Sequence, residues 1–137
     1  MVGISKARTP TVSSFMSTRV ITTDPEEHIS KIASSMQLNN VGAVVIMKNQ
    51  RIVGILTERD FVRIVEKVGM LLKEDLVKHF MAKPVITIQA DASVSEAIKL
   101  MQANHIRHLI VLDKDLRMVG MLSARDLMQA ARESTEI

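Results

Sequence analysis

Two short stretches hold the residues with the clearest chemical potential, Thr57-Glu58-Arg59-Asp60 and Ser123-Ala124-Arg125-Asp126. Each sets a hydroxyl and a carboxylate three positions apart, after a short apolar run and before an amphipathic one. At a helix start that spacing makes a capping box, in which the hydroxyl accepts from one backbone N–H and the acid from another. Spacing alone favours this structural reading. A second use is compatible with it, because an ionised carboxylate has two oxygens that only accept and can also hold a pair of ligand hydroxyls. The N–H groups at a helix start suit a phosphate. Thr57 and Ser123 can cap and touch a ligand as well.

Composition removes most other chemistry. The chain has no cysteine, so disulfides, thiolate catalysis and cysteine-held zinc or iron–sulfur centres are excluded. Of its four histidines, His105 and His108 are three apart at a loop–strand junction with no carboxylate placed to join them. His28 and His79 read as surface positions, and no metal site is expected. There is no glycine-rich phosphate loop, nucleophile elbow or acid–base pair, and neither capping nor ligand holding asks for a shifted pKa. An enzyme is not expected. The net charge of +3 and pI near 9.5 point weakly to anionic partners, since Lys and Arg are scattered among acids. Three Phe, no Tyr, no Trp and no basic stripe argue against nucleic acid. No apolar run approaches the roughly 18 residues of a membrane span, and the N-terminus lacks an apolar targeting core, so the expected location is cytoplasmic.

The elements that must position the two acids come from a repeat. Phe15-Met16 matches Phe80-Met81, Val20-Ile21-Thr22 matches Val85-Ile86-Thr87 and Met36 matches Met101, all 65 positions on. After one extra residue in a turn, Gly54, Thr57, Arg59 and Asp60 match Gly120, Ser123, Arg125 and Asp126 at an offset of 66. Arg59 and Arg125 read as solvated surface. Each copy predicts a short strand (20–22; 85–88) and a first helix. That helix opens on Asp24-Pro25-Glu26-Glu27 in one copy and on Asp91 with Ser93-x-x-Glu96 in the other. The stripes Ile29, Ile32, Ala33, Met36 and Val94, Ala97, Ile98, Met101 define their buried faces. Two apolar strands follow, 41–47 with 52–56 and 109–112 with 118–122, joined by polar turns at Lys48-Asn49-Gln50 and Asp113-Lys114-Asp115. A second helix closes each copy, with Phe61, Ile64, Val65 and Val68 as the first copy's stripe and Gly69 as its stop. At 137 residues, 47% of them hydrophobic, the chain can bury a core of Val, Ile, Leu and its ten Met.

The expected fold class is α+β: two pseudo-twofold-related β-α-β-β-α units packed sheet to sheet, with clefts at the seam. The corresponding boundaries are an N-terminal arm at 1–11, a first unit at 12–69, a linker at 70–76, a second unit at 77–132 and a tail at 133–137.

Three features together resemble the tandem cystathionine-β-synthase domain pair, the CBS or Bateman module. They are Phe-Met-x-x-x-Val-Ile-Thr at the start of each copy, Asn104-His105-Ile106-Arg107-His108-Leu109 before a strand, and Gly-[Ile/Met]-Leu-[Thr/Ser]-x-Arg-Asp at each close. The resemblance covers roughly 12–131. It implies a stand-alone, non-catalytic regulatory module that binds AMP, ADP or ATP, with S-adenosylmethionine ranked behind them, and requires no cofactor. Asp60 and Asp126 would hold ribose, helped by Thr57 and Ser123, while Arg107 and His108 meet phosphate and Val20, Ile21, Val41, Val85, Ile86 and Ile106 line the adenine. By resemblance one cleft joins Asp60 with Val85, Ile86 and Ile106, Arg107 close by. The other joins Asp126 with Val20, Ile21 and Val41, with no local phosphate cation except Arg125, so unequal affinities are expected. A homodimer and an unidentified effector protein complete the expectation. A dimerising scaffold without ligand and a nucleic-acid-binding protein are the alternatives.

Overall fold

The structure, a computed structural model, describes residues 10–70 and 74–135. Most of the expected arm, part of the linker and the end of the tail fall outside the described residues. In chain order the elements are β1 (Thr22–Thr23), α1 (Ile29–Asn39), β2 (Ala43–Lys48), β3 (Arg51–Thr57) and α2 (Glu58–Val68). They recur as β4 (Thr87–Gln89), α3 (Val94–Asn104), β5 (His108–Leu112), β6 (Met118–Ser123) and α4 (Ala124–Thr135). Two three-stranded sheets result, ordered β1-β2-β3 and β4-β5-β6. The short first strand is parallel to the central one because a helix carries the chain back between them, and the third closes as a hairpin. Thr22 pairs with Val45 and Thr87 with Ile110, so the offset of the sequence repeat is also the offset of the strand register. The architecture is the expected α+β duplication.

Local chemistry explains the repeat's one break. In the first hairpin Asn49 and Gln50 both take positive φ (52° and 65°), the geometry that lets a two-residue turn follow the strand twist. The second hairpin is one residue longer. Asp113 Oδ1 accepts from the N–H groups of Asp115 (2.9 Å) and Arg117 (3.0 Å), and Leu116 takes the positive φ.

Several expected boundaries move. The first strands are shorter than read and begin after Val20-Ile21 and Val85-Ile86. Asp24-Pro25-Glu26-Glu27 is a turn rather than a helix start: Asp24 Oδ1 accepts from Glu26 N–H at 2.8 Å, and α1 opens at Ile29 after His28, without a side-chain cap. The second copy behaves as read, with Ser93 Oγ accepting from Glu96 N–H at 3.0 Å. Ile29, Ile32 and Met36 are buried on α1, and Ala97 and Met101 on α3, while Ala33 and Ile98 face out. The α2 stripe is also narrower than predicted. Ile64 is buried and Phe61 half-buried, but Val65 and Val68 are 47% and 63% exposed, because only the first turns of the helix reach the core.

The compact units and the sequence repeat are cut at different places. One unit, the early unit, runs Val20–Val85; the other, the late unit, joins Ile86–Ile137 to the stretch that ends at Arg19. Val12 is fully buried in the late core with Ile88, Leu109 and Leu122, and Val77 in the early core with Ile32, Val44 and Leu56. Each burial stabilises by about 1.5–3 kcal/mol. Backbone bonds reinforce both: Val12 N–H to Ala92 O (2.8 Å) and Val77 N–H to Glu27 O (2.9 Å). Each Phe-Met segment thus serves the other copy. Met81 covers Gly54, Met16 covers Gly120, and in each case a side chain on the glycine would collide with the methionine.

Candidate functional site

The two acids stand where the spacing predicts, at the starts of α2 and α4, and the two sites are built alike. Thr57 donates twice to Asp60 Oδ2, from N–H at 2.8 Å and from Oγ1 at 3.0 Å, while Asp60 N–H donates to Thr57 Oγ1 at 3.3 Å. In the late unit the same three bonds join Ser123 and Asp126 at 2.8, 3.0 and 3.2 Å. The capping box is therefore real, and it occupies one oxygen. Oδ1 of each acid stays outside the cap. Arg63 Nη1 lies 3.9 Å from Asp60 Oδ1, a long and exposed contact that adds little. Asp60 is 8% exposed and Asp126 half-buried, so each carboxylate is held in one rotamer by bonds to a helix end.

The strand pairing decides what surrounds each acid. His108 opens β5 opposite Ser123, and Arg107 O accepts from Ala124 N–H at 2.9 Å. In the early unit Ala43 lies opposite Thr57 and Gly42 O accepts from Glu58 N–H at 3.0 Å. The two helix starts thus have matching backbone bonds and different strand-start residues: Arg107 and His108 in the late unit, Gly42 and Ala43 in the early one. The resemblance by itself assigns Arg107 to the cleft of Asp60; within its own unit its backbone joins the first residue of α4, two before Asp126, because a parallel-then-antiparallel sheet brings the start of the central strand to the end of the third. Arg107 is exposed and His108 half-buried.

The apolar candidates are half-buried. Val20 and Ile21 lead into β1, and Ile21 O accepts from Val45 N–H at 3.0 Å. Val85 and Ile86 lead into β4, with Ile86 O accepting from Ile110 N–H at 3.3 Å. Val41 and Ile106 follow the positive-φ residues Asn40 and His105, which end α1 and α3. Their N–H groups return to Met36 O and Met101 O at 3.0 Å. Ile21 and Val41 pack against the early core, Ile86 and Ile106 against the late one. His105 thus ends a helix, which accounts for its position three before His108. Among the described residues no group of three or more His, Cys, Asp or Glu could hold a metal ion, and no helix is long and apolar enough to cross a membrane.

Two sheets, each with a short parallel first strand and an acid-capped closing helix, define a duplicated α+β module. The chain belongs to the CBS domain family, whose model matches residues 12–67 and 68–133. An uncharacterized protein of Methanopyrus kandleri is 37% identical over 111 residues, 80% of this chain and 57% of that protein. An uncharacterized 17.7 kDa protein of Acidianus ambivalens is 32% identical over 120 residues, 87% of this chain and 71% of its own length. The crystal structure of a CBS domain superposes with a TM-score of 0.83 at 30% identity, covering 90% of this chain and 98% of that one. Two more distant structures share the fold and hold adenosine compounds. One is a CBS domain pair in complex with 5′-methylthioadenosine and S-adenosyl-L-methionine (21% identity, TM-score 0.83, 93% of this chain and 100% of that one). The other is CBSX2 in complex with AMP (18%, 0.77, 93% and 99%).

Proposed function

We propose that this protein is a non-catalytic regulatory module that binds an adenine nucleotide, AMP, ADP or ATP, and passes its occupancy to a separate effector protein. The observation that carries the reading is the division of labour within each carboxylate. Oδ2 fixes the side chain in the cap, and Oδ1 is left as a preorganised acceptor for ribose hydroxyls. The late unit is the stronger site. There Arg107 offers the planar fork that suits phosphate, beside the N–H groups of α4 and the Ser123 hydroxyl. The half-buried aliphatic residues, Ile21 and Val41 among them, supply apolar surface for a base. That solved relatives by fold hold AMP, methylthioadenosine and S-adenosylmethionine supports the ligand class.

Occupancy becomes a signal only if two shapes bind the nucleotide unequally. The module acts as a homodimer in this reading, with the outward valines of α2, Val62, Val65 and Val68, on a second copy. Calorimetric titration with AMP, ADP, ATP and S-adenosylmethionine tests it. Micromolar binding of at least one supports the nucleotide reading; folded, ligand-free protein that gives no heat with any of them leaves the acids as helix caps and the chain as a scaffold.

A further inference from the structure

The early unit has a recess that the nucleotide reading leaves almost untouched. An open cavity of about 240 Å³ lies between the edge strand β1 and helix α1, sharing only Ile21 with the candidate residues above. Half-buried Ile21 and the almost fully buried Ile32 and Val44 are its apolar lining; Thr22, Thr23, Glu27, Lys31 and Ser35 bring polar groups to it. Glu27, Lys31 and Ser35 recur every fourth residue and so share one side of α1 and its approach. Among the described residues Lys31 enters no ion pair. Glu27 Oε1 takes the His28 N–H at 2.9 Å, with Oε2 outside that bond. Ser35 Oγ receives Asn39 Nδ2 at 3.4 Å and keeps its own proton to donate.

The fold does not demand these groups. In the late unit the matching positions are Ile88 for Thr23, Ala92 for Glu27, Glu96 for Lys31 and Leu100 for Ser35. There Ile88 belongs to the core, and Ala92 and Leu100 are partly buried against it. Thr22 keeps its counterpart in Thr87 and Lys31 is replaced by an acid, so the combination of Glu27, Lys31 and Ser35 belongs to one copy alone.

Size and charge together name a ligand class. The volume lies below the roughly 300–1,000 Å³ of ordinary drug-sized sites, too small for a nucleotide. A phosphate or dicarboxylate would face the Glu27 carboxylate, and a simple cation would face Lys31. A small zwitterion satisfies both. We infer that this cavity binds an aliphatic α-amino acid, its carboxylate toward Lys31 and the Ser35 hydroxyl, its ammonium toward Glu27 and its side chain over Ile21, with Ile32 and Val44 beneath. The inference does not depend on nucleotide binding.

The test is methyl NMR of the full chain, labelled at Ile and Val, titrated with L-leucine to about 20 mM, where even millimolar affinity gives near-full occupancy. Methyl signals of Ile32 and Val44 should shift with L-leucine, and at least tenfold more ligand should be needed with isocaproate or isoamylamine, which each lack one charge. Ser35→Leu, which copies the late unit, should abolish the response, and Lys31→Glu should weaken it at least tenfold with an unchanged melting temperature. Should Ser35→Leu lower the melting temperature, the Lys31→Glu result decides. Asp60→Ala and Asp126→Ala should leave it intact. Absent shifts at these methyls, an equal response to the uncharged-end analogues, or shifts that survive Lys31→Glu unchanged would overturn the inference.

Discussion

Replacing Gly120 by alanine probes the exchange of the Phe-Met segments at its tightest point. A Cβ at Gly120 would lie 2.7 Å from Ser17 O and 2.7 Å from Met16 Sδ. Atoms in good contact settle near 3.5–4.0 Å, so a neighbour must retreat by about an ångström. Ser17 resists that. Its N–H and O exchange bonds with Met121 O and N–H, both at 2.9 Å. Overpacking costs about 1–3 kcal/mol, and each strained bond adds up to about 1 kcal/mol, so we expect Gly120→Ala to lose about 2–3 kcal/mol. At Gly54 the three nearest atoms are all of Met81, with Sδ at 2.5 Å and Cγ at 2.8 Å. A thioether side chain can pivot away, and Gly54→Ala should lose only about 1 kcal/mol. Urea unfolding reads the difference. With slopes of about 1–3 kcal/mol/M, the Gly120 variant should unfold about 1 M earlier than the Gly54 variant. Adding Met81→Ala should relieve Gly54→Ala, whereas Met16→Ala should relieve Gly120→Ala only in part, since Ser17 O remains. Equal losses in the two glycine variants, or full relief of Gly120→Ala by Met16→Ala, would refute the reasoning.

The capping and ligand roles of the acids separate under conservative substitution. Asp126→Ala should cost about 1–2 kcal/mol in urea unfolding through loss of the cap, while Asp126→Asn, which can still accept from Ser123, should cost at most about 0.5–1 kcal/mol. Both should lose nucleotide affinity; an Asn variant that binds normally would restrict the acid to capping. For the proposed dimer, Val65→Glu should convert the sedimenting species to monomer without lowering the melting temperature of the isolated chain, and an unchanged mass would remove α2 from the proposed interface.

Much of this was legible because the repeat is written in residues with few alternatives. The hydroxyl–acid pairs are short-range devices, and a box three residues wide folds the same way wherever a strand runs into a helix. The apolar periods of α1 and α3 gave their existence for the same reason. Asp24-Pro25-Glu26-Glu27 misled because the residues that favour a helix start also favour the turn before it, and Asp24 spends its oxygen on that turn. The Val65 and Val68 pair misled for a different reason: periodicity reports an apolar face, and says nothing of whether this chain covers it. Least legible was the exchange of the Phe-Met segments, since Val12 and Val77 are equivalent in both copies and sequence gives no sign of which core each enters. The strand start that pairs with the entry to α4 was readable only in part. The sequence contains Arg107 and His108, but their side of the sheet follows from strand order.

The central claim is that Asp126 and Arg107 act on one bound nucleotide, and a double-mutant cycle measures it most directly. AMP affinity would be determined calorimetrically for the wild type, Asp126→Ala, Arg107→Ala and the double variant, with Asp60→Ala paired to Arg107→Ala as the control. The account predicts tenfold or larger losses for each late-unit single variant. It also predicts a coupling of about 1 kcal/mol or more between Asp126 and Arg107, and near-additive behaviour with Asp60. Additive effects at Asp126 and Arg107, with the coupling found at Asp60 instead, would contradict it.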